Sequence, residues 1–120
     1  MKILCFLKRK PGLTREQFIE YYESRHVKLA AKLLPYFTEY KRNYIDPGTV
    51  YETGHLENRA TAEPPFDVVT EMSFASPQMY DMLVSALRKP SIGDVIAADE
   101  ENLFDRASMT IYVVDERVGS

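Results

Sequence analysis

The sequence predicts an α+β fold with its elements in the order strand–helix–strand–strand–helix–strand. Three observations carry this: an apolar run at 2–8 ahead of Pro11-Gly12, a helical stripe from Thr14 that Pro35 stops, and a period-two run at 66–74 leading into Ser76-Pro77. That order is the ferredoxin-like plan, a four-stranded antiparallel sheet with both helices on one face. At 120 residues the chain has room for one domain, residues 1–120, and not for two ordinary ones.

Lys2-Ile-Leu-Cys-Phe-Leu-Lys8 is an apolar run between charges, the pattern of a strand buried on both faces. Thr14 is an N-cap with Gln17 placed to complete a capping box, and the helix should run to about Leu34. Phe18, Ile19, Tyr22, Leu29 and Leu33 fall in one arc at 100° per residue, while Arg15, Glu16, Glu23 and Lys32 lie outside it. Residues 37–45 alternate as a second strand that Pro47-Gly48 ends. A long stretch without clear periodicity then reaches Pro65, and loops of this length are uncommon unless functional, mobile or partly strand.

In the third strand Phe66, Val68, Thr70, Met72 and Phe74 take one face, and Asp67, Val69, Glu71 and Ser73 the other. Ser76-Pro77 opens a second helix with Met79, Leu83, Ala86 and Leu87 inward. After Pro90 a short acidic helix should end near Phe104, and 107–114 form the last strand. The sheet face away from the helices is bare. If it carries Val69, Met109, Ile111 or Tyr40 it must be covered, and a second copy is the simplest cover, so a homodimer is expected.

Composition narrows the function classes. Hydrophobic residues at 45% and charged residues at 28% are those of a globular domain, not a disordered or fibrous one. The longest apolar run, Ile3–Leu7, is far below the ~20 residues of a membrane span. It is also too short for a secretory core ahead of Lys8-Arg9-Lys10. The lone Cys5 excludes an internal disulfide and a thiolate-rich metal site, and points to a reducing cytoplasm. A net charge of −3 gives no electrostatic reason to expect nucleic acid. Eight tyrosines without a tryptophan are the one oddity.

His26 stands about 80° from Phe18 around the helix, on the inward arc. It reads either as a buried histidine satisfied by a neighbour or as a general base reaching a pocket. Asp67 and Glu71 share a strand face about 13 Å apart, too far for a carboxylate dyad. They read as a solvated face or as residues that orient a histidine or a substrate hydroxyl. Tyr40, Arg42 and Tyr44 alternate onto one face, with Tyr112 a possible companion; they suit an aromatic ligand as well as they suit cross-strand packing. His55 sits in the long loop, exposed or brought over a ligand, and Cys5 belongs to the core. Phosphate-cradling loops, dinucleotide fingerprints and clustered metal-ligand spacings are absent, so no metal or other cofactor is expected.

With these residues placed, the chain resembles the EthD family of dimeric α/β-barrel proteins. The matching segments are Lys8-Arg-Lys-Pro-Gly-Leu-Thr14 with Phe18, Tyr21-Tyr22 and His26; Tyr40-Lys-Arg-Asn-Tyr44; Phe66-Asp67 with Glu71 and Phe74; and Asp99-Glu-Glu101 with Phe104-Asp105. The resemblance spans about residues 2–115. It implies a β-barrel formed by two copies, a pocket between each sheet and its helices or loops, and His26 as the family's characteristic histidine. Members are associated with ether degradation, and fungal relatives with dehydration or decarboxylation of polyketide-like aromatics. Related barrels include polyketide cyclases, quinol-forming monooxygenases, muconolactone isomerases and haem-degrading enzymes. The loop from Pro47 to Pro65 departs from the usual pattern.

The leading expectation is a cofactor-independent lyase, cyclase, dehydratase or isomerase acting on a small aromatic or polyketide-like molecule. His26 would move a proton, Tyr40 or Tyr44 would hold a phenol or carbonyl oxygen, and Asp67 or Glu71 would orient the acid–base partner. Tyr22, Tyr44, Tyr112 and His55 are the substrate-binding candidates. The alternatives are a non-catalytic ligand-binding dimer and, more weakly, a haem-binding barrel with His26 or His55 as axial ligand.

Overall fold

Lys2–Leu7 (β1) alternates strictly, with Ile3, Cys5 and Leu7 buried under the helices and Lys2, Leu4 and Phe6 on the opposite face. The computed structural model describes residues 1–60 and 63–119. After β1 come a helical rod, Glu39–Tyr44 (β2), Val68–Ser73 (β3), two further helices and Thr110–Val114 (β4). The sheet is antiparallel in the order β2-β3-β1-β4, the ferredoxin-like arrangement. No helix among the described residues is long and apolar enough to cross a membrane.

Thr14 caps the rod as its sequence predicts. Its side chain accepts from the Gln17 N–H at 3.1 Å, and the Gln17 side chain accepts from the Thr14 N–H at 2.9 Å. The rod is one helix only in outline. Arg15–Tyr21 (α1) and Val27–Leu33 (α2) flank a π turn, Tyr22–His26, in which the Val27 N–H donates five residues back to the Tyr22 carbonyl. The residues this rod buries are Phe18, Tyr22, His26, Ala30 and, at its end, Leu34, spaced by four throughout. Four residues of α-helix overshoot a turn by about 40°, so such a stripe would wind away from the sheet. The wide turn takes up part of that drift and keeps the stripe facing inward.

Pro77–Leu87 (α3) begins at Ser76, whose hydroxyl accepts from the Met79 N–H at 3.4 Å, and it buries Leu83 and Ala86. Pro90–Leu103 (α4) follows after a tight connection and buries Ile96, Asp99 and Leu103. Past α4 the chain returns antiparallel to the residues after β1, with the Asp105 N–H donating to the Lys8 carbonyl at 2.9 Å. This return seats Phe104 among the helix-face aromatics.

The register decides which faces are covered. Tyr40, Arg42 and Tyr44 pair with Met72, Thr70 and Val68, so this side of β2 lies under the helices and not on the bare face. Ile111 pairs with Cys5 and likewise belongs to the helix side, while Met109 packs against the core. Val69 does lie on the bare face, opposite Phe6. Phe66 departs from the predicted alternation: it precedes β3, and its ring packs edge-on against Phe6 at 5.1 Å. Residues 47–60 and 63–65 form no helix or strand.

Candidate functional site

Between the sheet and the helices lies a cavity of about 450 Å³, of ligand size. Ile3, Cys5 and Leu7 form part of its floor; Leu83, Ile96 and Phe104 supply apolar walls. Its polar atoms come from His26, Tyr22, Tyr40, Thr70, Glu100 and a few others. Apolar lining with a small number of convergent polar groups is the composition of a small-molecule site.

His26 is 6% exposed, and its Nδ1 lies 2.8 Å from Asp99 Oδ2. An ionised carboxylate only accepts, so Nδ1 carries the hydrogen and Nε2 keeps its lone pair. Among the described residues Nε2 has no hydrogen-bond partner and no fully buried side-chain polar atom is left unsatisfied, so this nitrogen opens to the cavity. The Tyr21 hydroxyl donates to the other oxygen of Asp99 at 2.6 Å, and Asn102 donates to that hydroxyl at 3.4 Å. The imidazole is held edge-on by Tyr22 and Phe104, each with its ring centre 5.5 Å away. Position, tautomer and tilt of the ring are all set by protein contacts.

Asp99 is the orienting acid, and sequence reasoning assigned that role to Asp67 or Glu71. Both lie elsewhere. Asp67 accepts the Arg9 N–H at 2.8 Å beyond the end of β1. Glu71 stands on the helix-free face, taking hydrogen bonds from Asn43 at 3.0 Å and Lys2 at 3.1 Å, which hold its carboxyl below the usual range. Asp99 reads as part of an acidic, water-facing run, yet Ile96, Asp99 and Leu103 fall at i, i+3 and i+7, the spacing of an inward stripe.

Tyr22 and Tyr40 do line the cavity, and Thr70 joins them. Tyr40 donates to the Tyr22 hydroxyl at 3.1 Å, and Tyr22 and Thr70 share a proton across 2.8 Å. Three hydroxyls make two bonds, so one O–H is left over for a guest. Burial pushes the Tyr22 phenol up to about 12 and raises Tyr40 well above its ordinary value, so both are neutral near pH 7. Burial also pushes the Cys5 thiol up to about 11.

Tyr44 stands one layer back. Its hydroxyl donates to Glu23, which also receives the Arg42 guanidinium at 2.7 and 2.9 Å, and its ring meets those of Phe18 and Tyr22. It does not line the cavity. Tyr112 lies on the opposite side of the sheet, 57% exposed and edge-on to Phe6. His55 is exposed in the long connection and contributes nothing to the cavity wall.

The Asp99 contacts give a stability prediction. Asp99→Asn loses a charge-assisted bond to His26 and weakens the one from Tyr21, and should cost about 2–3 kcal/mol. Tyr21→Phe removes only one partner and should cost about 1 kcal/mol. Urea unfolding of the two variants checks the order; equal effects would mean that the His26 contact contributes little.

The EthD domain family model matches residues 10–107. Among solved structures, an ethyl tert-butyl ether D (EthD) family protein from Bacillus halodurans C-125 superposes with a TM-score of 0.63 at 20% identity, over 98% of this chain and 99% of that one. A protein from Arabidopsis thaliana gives 0.64 at 11% identity, over 99% and 97% of the two chains. HapK from Hahella chejuensis gives 0.58 at 10% identity, over 100% and 95%. At these identities the structural likeness is one of fold. No curated protein matches the sequence significantly.

Proposed function

This chain belongs to the EthD domain family, and from that premise we propose that it is a cofactor-independent enzyme moving a proton next to a carbonyl in a small aromatic or polyketide-like molecule. The observation that carries the reading is a histidine whose Nδ1–H is pinned to a buried carboxylate while its basic Nε2 opens into an apolar cavity. A base takes a proton from carbon efficiently only if the charge left on oxygen is met by a donor. The spare O–H of the Thr70–Tyr22–Tyr40 chain is such a donor. His26 is then the base, Asp99 its positioning residue, and the three hydroxyls hold the carbonyl oxygen. Lyase, cyclase, dehydratase and isomerase reactions all begin with this step.

Exchange of the α-hydrogens of benzylacetone in deuterium oxide, followed by proton NMR, tests the reading. The protein should accelerate exchange well above the buffer rate. Binding of benzylacetone without any acceleration would make the cavity a carrier's site and overturn it.

The working unit of this proposal is a homodimer in the cytoplasm. Phe6, Phe66 and Tyr112 form an aromatic patch on the helix-free face, continuous with Leu4 and Val69. A second copy with the same patch is a self-complementary cover for it. Sedimentation at micromolar concentration should give twice the monomer mass of 13.8 kDa, and Phe6→Glu should shift the population to monomer. A wild-type monomer would overturn the dimer.

A further inference from the structure

Two cavity carboxyls, Glu100 and Asp94, are left without a task by the proton-abstraction step; Asp94 is exposed, whereas Glu100 is half-buried. It follows Asp99 on α4, lines the same cavity as His26, and its side chain is only 20% exposed. Its oxygens make no hydrogen bond within 3.5 Å to any described residue, and the nearest cation, Arg106 Nε, is 3.6 Å away. That guanidinium is already committed to Glu101 at 2.7 Å. Such a carboxyl is weakly compensated, and burial raises it above the ordinary carboxylate range despite the opposing pull of His26 and Arg106.

We propose that Glu100 is the acid partner of His26, delivering a proton to an oxygen that leaves the substrate's β-carbon. This rests on the proposed function and narrows its substrate class to β-hydroxy carbonyl compounds. The balance is that of an elimination. His26 Nε2 takes the α-hydrogen as a proton, and the C–H electron pair becomes the new C=C bond. The β C–O bond breaks with its electrons on oxygen, and the Glu100 carboxyl proton completes a water molecule. Transfer of a proton from the imidazolium to the Glu100 carboxylate restores both groups. Paired groups whose surroundings hold one as base and the other as acid are the arrangement this chemistry needs. Water is the only co-product, and no oxidant or reductant is required.

Charged and titratable groups face Glu100 from every side: His26 on the π turn, Cys5 on β1, Arg106 beyond α4, and Asp99 and Glu101 beside it on α4. A pH profile of one reaction alone would therefore mix their contributions. Two matched probes separate them. The aldol adduct of benzaldehyde and acetone loses water to give benzylideneacetone, read by its ultraviolet absorbance. Benzylacetone has the same skeleton without the hydroxyl and reports proton abstraction alone.

Glu100→Gln should slow elimination by at least 10²-fold, and at least tenfold more than it slows exchange. Glu100→Asp, which keeps an acid, should recover part of the difference. In the wild-type protein the ratio of elimination to exchange should fall as pH rises and Glu100 loses its proton. Equal losses in both reactions, no loss in either, or a wild-type ratio flat with pH would each overturn the role of Glu100. Exchange without elimination in the wild type would do the same. Failure of exchange itself would instead overturn the proposed function. The wild-type ratio decides the matter even if Glu100→Gln does not fold.

Discussion

Exchange of benzylacetone hydrogens should slow by 10²–10⁴-fold in His26→Ala, the range in which a positioned general base contributes. The loss should fall on kcat more than on KM. The cavity floor of Ile3, Cys5 and Leu7 and the Thr70–Tyr22–Tyr40 hydroxyls remain in the variant, so ground-state binding keeps its contacts. A second readout separates chemistry from packing. Removing the ring leaves space beside Tyr22 and Phe104, and free imidazole supplied in solution should restore part of the rate. A change below about threefold in turnover, or a loss that imidazole does not relieve in a folded variant, would remove His26 as the base.

The second large effect lies away from the reacting atoms. Gly93 sits in the first turn of α4 where that helix crosses the end of α3. A Cβ built there would stand 1.9 Å from the Leu87 carbonyl oxygen and 3.0 Å from its carbon. Alanine is the better helix former by about 1 kcal/mol. The obstacle is backbone, however, and cannot swing aside like a side chain, so overpacking should cost about 3 kcal/mol or more. The clash wins. Gly93→Ala should be destabilised by about 2 kcal/mol, a fall in Tm of roughly 8 °C for a chain of this size. Because α4 also carries Asp99 and Glu100, activity should drop before the protein unfolds. Calorimetry showing an unchanged or raised Tm would mean that the two helices part at little cost.

What could be read in advance was what depends on near neighbours in the chain. The Thr14–Gln17 box, the Ser76-Pro77 start, the period-two alternation of β3 and the order of elements are local patterns, and local patterns survive without knowledge of the rest. The alternation in β2 also held, but it says only that Tyr40 and Tyr44 share a side. Which side is covered depends on pairing with β3, a contact some 30 residues away in sequence. Asp99 was hidden for a related reason. An acid beside two others looks like a water-facing helix surface, and only Tyr21 and His26, more than 70 residues earlier, give it a reason to turn inward. The π turn did leave a trace, the repeated spacing of four through Phe18, Tyr22, His26, Ala30 and Leu34, which an ordinary helix cannot keep on one side.

The bond between His26 and Asp99 joins residues 73 positions apart, and this has a bearing on how the protein is made. Synthesis runs from the N-terminus, and long-range contacts wait for the chain that supplies them. The segment up to Phe74 contains β1, β2 and β3 and can pair all three. A nascent chain of that length carries His26 with Tyr22 beside its ring but with neither Asp99 nor Phe104 to fix it. The ring gains its tautomer only when α4 has emerged and docked, so the proposed base is completed late in biosynthesis, after most of the sheet is in place.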